Sequence, residues 1–195
     1  HRAKSEGRNV GRIVLQGPPA FDKGAAAALI NVAHHAELQN TGPVIAVEDT
    51  LDSLRHLGIA ARERSSARIC AVTGSVGKTG TKDALRTVLA LQGEAHASVA
   101  SYNNHFGVPL TLARMPETTR YGVFEIGMNH AGEITPLSKM VRPHVALVTT
   151  VEAVHLEFFK SVAGIADAKG EIFAGLEQGG TAVLNLDNPH FDRLV

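Results

Sequence analysis

The chain has 195 residues, 44% of them apolar, with 19 basic and 19 acidic side chains and one cysteine. That apolar content supports a core and excludes a wholly disordered chain, and the zero formal net charge speaks against a nucleic-acid partner, which selects for a basic excess. The lone Cys70 excludes an internal disulfide and a thiolate metal cluster.

Four basic residues among the first twelve (Arg2, Lys4, Arg8 and Arg12, against Glu6) read as a solvated tail. The longest apolar stretch, Gly24 to Ile30, is too short for a bilayer span, so membrane insertion is not expected. No signal-like opening is recognised, and the expectation is a soluble cytoplasmic protein. The start at His1 rather than Met leads us to expect that the natural N-terminus is missing.

In chain order, Arg12–Leu15 reads as a first strand and the alanine-rich Phe21–His35 as a helix. Pro43–Val47 is a short buried strand. Thr50–Arg64 is a helix with Leu51, Leu54, Leu57 and Ile59 near helical spacing, and Asp49 or Thr50 can cap it. Arg62–Arg68 reads as a linker. Beyond it come a strand at Ile69–Val72 and a helix at Lys78–Leu91, with Ala84, Leu85, Val88 and Leu91 on its apolar face. Then follow a strand at Gly122–Ile126, a helix at Glu133–Val141, a strand at His144–Thr150, a helix at Ser161–Leu176 and a strand at Thr181–Leu186. Apolar strands alternating with helices predict an α/β fold, a mostly parallel doubly wound sheet.

The strongest motif is Thr73-Gly74-Ser75-Val76-Gly77-Lys78-Thr79, set between a predicted strand and a predicted helix, as a P-loop requires. Glycines let backbone wrap a phosphate, and the helix start offers free N–H groups and a favourable dipole. Lys78 can neutralise β/γ-phosphate oxygens and the Thr79 hydroxyl can bind Mg²⁺. Val72 stands where the full Walker pattern has its first glycine.

Glu125 ends an apolar strand, where an open α/β sheet places ligand-binding groups; it reads as an Mg²⁺ ligand or as a solvent-facing strand end. Asn129 and His130 lie in the turn Gly127–Gly132, and Glu133 suits a cap at the following helix. His155 follows a strand end on the same edge and reads as a ligand or a packed histidine. Lys169 sits among small and apolar residues, where a snorkelling surface lysine is the simpler reading. Asn103 and Asn104 can bind substrate or form an Asx turn, and by themselves favour the turn.

Taken together, AVTGSVGKT (71–79), YNNHFGVPLTL (102–112), FEIGMNHAGEI (124–134), VHLEFF (154–159), IADAKGEIF (165–173) and LNLDN (184–188) resemble the Mur ligase family of ATP-dependent amide-forming enzymes. The phosphate-loop segment is shared across that family and with folylpolyglutamate synthetase, whereas GMNHAGEI and NNHFGVP are more particular to the branch that adds a dipeptide. The resemblance implies residues 67–195 as a central ATP-binding domain and 1–66 as a partial N-terminal UDP-substrate-binding domain. It also implies that the family's C-terminal domain is absent from the chain, so that the fragment alone is expected to be inactive.

The resemblance further implies ATP and Mg²⁺ as cofactors, with UDP-MurNAc-tripeptide and D-Ala-D-Ala as the joined partners, in a monomer. Thr73 to Thr79, Asn103 and Asn104 match family positions around the ATP phosphates, and Asn185 and Asp187 match the adenosine end. Thr79, Glu125 and His155 match Mg²⁺ positions. Lys169 matches a lysine carbamylated in many relatives, which makes it a further metal ligand. Lys78, His155, Lys169, Asn129 and His130 are the implied catalytic set. Gly80, in the first helical turn, and Lys160-Ser161 depart from the family pattern. Another amide ligase of this superfamily, a P-loop kinase and a nucleotide-binding remnant without activity are the alternatives.

Overall fold

The computed structural model describes Phe21 and residues 25–99, 101–154 and 157–195. The expected strand at Arg12–Leu15 and the site residue His155 lie outside the described residues. The chain separates into two compact units between His56 and Leu57, ahead of the border expected at residue 67.

In the first unit, β1 (Ala28–Asn31) pairs in parallel with β2 (Val44–Val47), Ala28 opposite Val44 and Asn31 opposite Val47. A short 3₁₀ turn, Val32–His34, and α1 (His35–Leu38) connect them. Part of the helix expected over Phe21–His35 is therefore a strand. Pairing buries Ala28 and Ile30 with Leu38, against Phe21 and Val44, and this burial overrides the helix propensity of the alanine run. The next helix, α2 (Thr50–Glu63), is capped by Asp49, whose Oδ1 accepts from the N–H groups of Leu51 (2.8 Å) and Asp52 (2.9 Å). Those bonds hold the Asp49 carboxyl below its ordinary pKa.

The second unit contains β3 (Arg68–Thr73), α3 (Lys78–Ala90), β4 (Ala95–Ala97), α4 (Gly107–Ala113) and β5 (Tyr121–Glu125). It continues with α5 (Ile134–Val141), β6 (Val145–Val148), α6 (Val162–Gly170), β7 (Thr181–Leu184) and α7 (Phe191–Leu194). Its five strands are all parallel, in the order β4-β5-β3-β6-β7. From Gly122 to Glu125 every residue is buried; successive side chains point to opposite faces, so both faces of β5 are covered. The core gathers Ile69, Ala71, Phe124, Ala146 and Val148 from the strands, Ile126 from the exit of β5, and Leu112, Ile134, Val141, Ile165 and Ile172 from the helical segments. The Arg62 guanidinium closes the end of α5, donating to the carbonyls of Val141 (2.8 Å) and Arg142 (2.9 Å).

The chain leaves β3 toward β4, returns through β5, then crosses β3 to β6. This reversal puts the end of β3 at a topological switch point, where α/β sheets open a crevice for ligands. The strand β4 and helix α4 have no counterpart among the predicted elements. The helix expected over Ser161–Leu176 is α6 followed by a tighter 3₁₀ stretch, Glu171–Gly175. In α3 the expected apolar face is not the buried one: Val88 is 62% and Leu91 82% exposed, while Lys82 is 2% exposed. The side turned to the sheet must accommodate the phosphate loop and the end of β4, and a lysine that reaches a carbonyl fits there. Among the described residues no helix is long and apolar enough to cross a membrane.

Candidate active site

Val72 still belongs to β3, opposite Glu125 on one side and Leu147 on the other, and is fully buried. The bend starts later, so the Walker pattern's first glycine is not needed there. Gly74 (φ +150°) and Gly77 (φ +84°) make the turns, both in the region that L side chains avoid. At Gly74 space closes as well, since a Cβ there would collide with Thr149 Oγ1. Gly77 starts α3 with no side-chain cap, which leaves the helix's first N–H groups for an anion. Lys78 Nζ folds back onto the loop, donating to the Gly74 carbonyl at 2.8 Å. Burial lowers the Lys78 pKa, and the Glu125 charge works against that shift. The Thr73 hydroxyl, also expected at the phosphates, is buried with no partner among the described residues.

Glu125 is 1% exposed at the end of β5. Its Oε2 accepts from Thr79 Oγ1 at 2.9 Å and its Oε1 from Asn103 Nδ2 at 2.8 Å. The Asn103 carbonyl accepts from Gly127 N at 2.8 Å, tying that loop to the β5 exit. Thus Thr79, Glu125 and Asn103 meet directly. The solvent-facing reading of Glu125 does not hold, because the strand end lies beneath the loops rather than at the surface.

Asn104 has a different job. Its Oδ1 accepts from Phe106 N (3.1 Å) and Gly107 N (3.0 Å) at the start of α4, an Asx arrangement. Asn129 and His130 are tied to Glu133, whose Oε2 accepts from both backbone N–H groups and whose Oε1 lies 3.1 Å from His130 Nδ1. Phe158 packs on the His130 ring at 4.5 Å between centroids. Asn185 Oδ1 accepts from Asp187 N at 3.0 Å in the turn after β7.

Lys169, in α6, is 3% exposed, so the snorkelling reading does not hold. Its amine makes no hydrogen bond or ion pair among the described residues. Burial pushes its amine down to about 8, and the nearby Lys78 charge adds to the shift. Two lysines from different helices thus lie within electrostatic reach of each other.

Comparison with known proteins decides the family. Residues 72–195 match the family described as Mur ligase middle domain. The chain belongs to the Mur ligase family. It is similar to UDP-N-acetylmuramoyl-tripeptide–D-alanyl-D-alanine ligases: 38% identical to that of Rickettsia prowazekii over 90% of this chain and 39% of the relative. Against that of Escherichia coli K12 the figures are 41%, over 85% of this chain and 36% of the relative. The chain therefore spans well under half the length of these relatives. Among solved structures, MurF from Acinetobacter baumannii superposes with a TM-score of 0.79 at 30% identity, covering 86% of this chain and 42% of that one. MurF ligase from Thermotoga maritima, solved in complex with ADP, gives 0.75 at 25% identity, over 86% and 44%.

The loops around this candidate site are held by residues that sequence reasoning did not single out. Thr149, at the end of β6, donates through Oγ1 to the Val76 carbonyl at 2.6 Å. Glu171 accepts from the N–H groups of Gly132 (2.6 Å), Ile134 (3.1 Å) and Thr135 (3.0 Å), at the start of α5. Asn188, 7% exposed, donates to Thr150 Oγ1 at 2.9 Å and to the Val151 carbonyl at 3.1 Å. Glu171 and Asn188 lie inside or beside the segments that carry the family resemblance, which was a usable signal; Thr149 had none beyond its place after a strand.

Proposed function

We propose that the chain is the nucleotide-handling part of a monomeric, cytoplasmic ligase that joins D-Ala-D-Ala to UDP-MurNAc-tripeptide at the expense of ATP, in peptidoglycan precursor synthesis. The activity for which the similar ligases are named supports the substrates, and the ADP complex of a similar structure supports the nucleotide. The observation that carries the reading is Glu125: a buried carboxylate, joined to the phosphate loop's hydroxyl and to Asn103, with no ion pair among the described residues. We read residues 67–195 as the ATP-binding domain and 1–66 as part of the UDP-substrate side.

The Thr79 hydroxyl and Glu125 carboxylate are hard oxygen donors and fit Mg²⁺, with His155 and a modified Lys169 as further ligands. Bound Mg²⁺ supplies charge screening between the phosphate oxygens. Lys78 exchanges the Gly74 carbonyl for β/γ-phosphate oxygens, and the open start of α3 holds the same anion. Asn103 and Asn104 flank the phosphates, and Asn185 and Asp187 take the adenosine end. The terminal carboxylate of the tripeptide attacks the γ-phosphorus, ADP leaves, and an acyl phosphate forms. The amine of D-Ala-D-Ala then attacks the acyl carbon; the C–N bond forms, phosphate departs, and the Asn129–His130 turn borders the exchange. Activation is required because a carboxylate is a poor electrophile.

Lys169 fits a carbamate on physical grounds. An amine held near neutrality reacts with CO₂, and the product replaces a cation repelled by Lys78 with an anion attracted to it. Intact mass under CO₂-replete conditions should show one added CO₂ that is lost in Lys169→Ala.

The decisive test is Lys78→Ala in the full-length enzyme, followed by acyl-phosphate trapping. The rate should fall by more than about tenfold, roughly 1.4 kcal/mol; a smaller loss removes Lys78 from its role. Turnover of folate and glutamate in place of UDP-MurNAc-tripeptide and D-Ala-D-Ala would move the chain to the folylpolyglutamate synthetase branch.

A further inference from the structure

Within the phosphate loop the Lys78 ammonium ties the Gly74 carbonyl, a bond given up once that ammonium turns to phosphate. The Val76 side chain is 57% exposed and the Thr73 hydroxyl bonds to nothing described. Ser75 turns away, its Oγ accepting from Glu152 N at 2.8 Å. Further ties come from the exit of β6. Thr149 N donates to the Thr73 carbonyl at 2.9 Å, and Thr149 Oγ1 donates to the Val76 carbonyl at 2.6 Å. One residue thus grips the loop at both ends.

The planar peptide makes this grip consequential. In a trans peptide the C=O and the following N–H point in opposite directions. Holding the Thr73 and Val76 carbonyls toward Thr149 therefore turns the N–H groups of Gly74 and Gly77 away from it. The N–H groups of Val76, Gly77, Lys78 and Thr79 donate to no described residue, which leaves a cradle of donors for an anion. Thr149 Oγ1 also occupies the space that a side chain on Gly74 would need, so the hydroxyl and the glycine are shaped to each other.

We propose that the Thr149 hydroxyl is the positioning group that sets the phosphate loop in its anion-binding form before nucleotide arrives. The inference rests on the reading of the loop as a phosphate cradle. It assigns to the exit of a neighbouring strand the setting of the Val76 carbonyl.

The test is ADP binding, measured by calorimetry with EDTA present, to the full-length protein and its Thr149→Ser and Thr149→Val variants. Thr149→Ser keeps the donor and should bind within about twofold of the parent. Thr149→Val should bind more than about fivefold weaker, the equivalent of one neutral hydrogen bond, with its unfolding midpoint near the parent's. A loss in Thr149→Val below fivefold, or an equal loss in Thr149→Ser, overturns the proposal. Should Thr149→Val fail to fold, Thr149→Ala, which adds no methyl group beside Gly74, answers the same question against the same limits. Failure of the parent itself to bind ADP overturns the nucleotide reading instead, a result distinct from either variant's.

Discussion

Helices α3 and α6 each bury a lysine inside the same unit, and they treat the charge in opposite ways. Lys82, on α3, is 2% exposed, donates to the Ser98 carbonyl at 2.9 Å and lies 3.1 Å from Asp83 Oδ1. Its ammonium is matched by acceptors and ties α3 to the Ser98 backbone. Lys169, on α6, is buried as deeply among Ile165, Ala166, Ala168 and Ile172, yet has no acceptor among the described residues and faces the Lys78 charge. Burial with partners makes a lysine part of the scaffold, whereas burial without them lowers the amine's pKa and prepares it for chemistry. The same residue type thus separates into scaffold and reagent according to what surrounds it.

The sharpest way to break this contrast is to remove both charges by the same substitution. Lys82→Met should lower the stability of the unit by about 2 kcal/mol, because a charged donor is lost and the Ser98 carbonyl is left without it. Lys169→Met should change stability by less than about 1 kcal/mol, or raise it, since a buried group without acceptors is replaced by an apolar one. Urea unfolding measures both, and equal losses would erase the distinction.

A smaller effect sharpens the picture of α3. A Cβ at Gly80 meets nothing within 4 Å, so Gly80→Ala should raise stability by up to about 1 kcal/mol. If the loop's shape is set from β6, ADP affinity should stay unchanged in that variant.

The smallest effect extends the contrast to a histidine. His144 Nδ1 accepts from Ile69 N at 3.0 Å, which requires the neutral ring. Burial lowers its pKa, and the Arg62 and Arg68 charges add to the shift. A folded-state pKa below the unfolded value gives stability that is present above about pH 6.5 and is lost as pH falls through the lower folded value. Unfolding midpoints should therefore drop on acidification below pH 6.5. The drop should be shallower in His144→Asn, whose amide oxygen can accept from Ile69 without titrating.

Much of the central unit was legible in the sequence. Strands such as Tyr121–Glu125 and Val145–Val148 are apolar runs bounded by turn residues, and the phosphate loop lies where strand passes into helix. Elements that depend on distant partners were not legible. Ala28–Asn31 becomes a strand only because Val44–Val47 lies beside it, and Ala95–Ala97 is too short to carry a period. Gly107 and Pro109 disguise the start of α4. The same limit governs the site. Glu125 and Lys78 carry local signals, but the division of labour between Asn103 and Asn104 depends on which side chain reaches β5. The buried face of α3 was misread because its apolar residues, Val88 and Leu91, point outward while a lysine points in.

The helix starts of the central unit differ in one respect that bears on how an incoming ligand finds its place. The N–H groups at the start of α4 are taken by Asn104, those of α5 by Glu171, and that of Gly164 in α6 by Ser161 Oγ at 3.1 Å. The start of α3 has no such side chain. Of these four positive poles, three carry an acceptor built into the chain, one of them a carboxylate. Among these four, a triphosphate drawn to this edge of the sheet meets one pole without a built-in acceptor, and the decoys beside it are already answered.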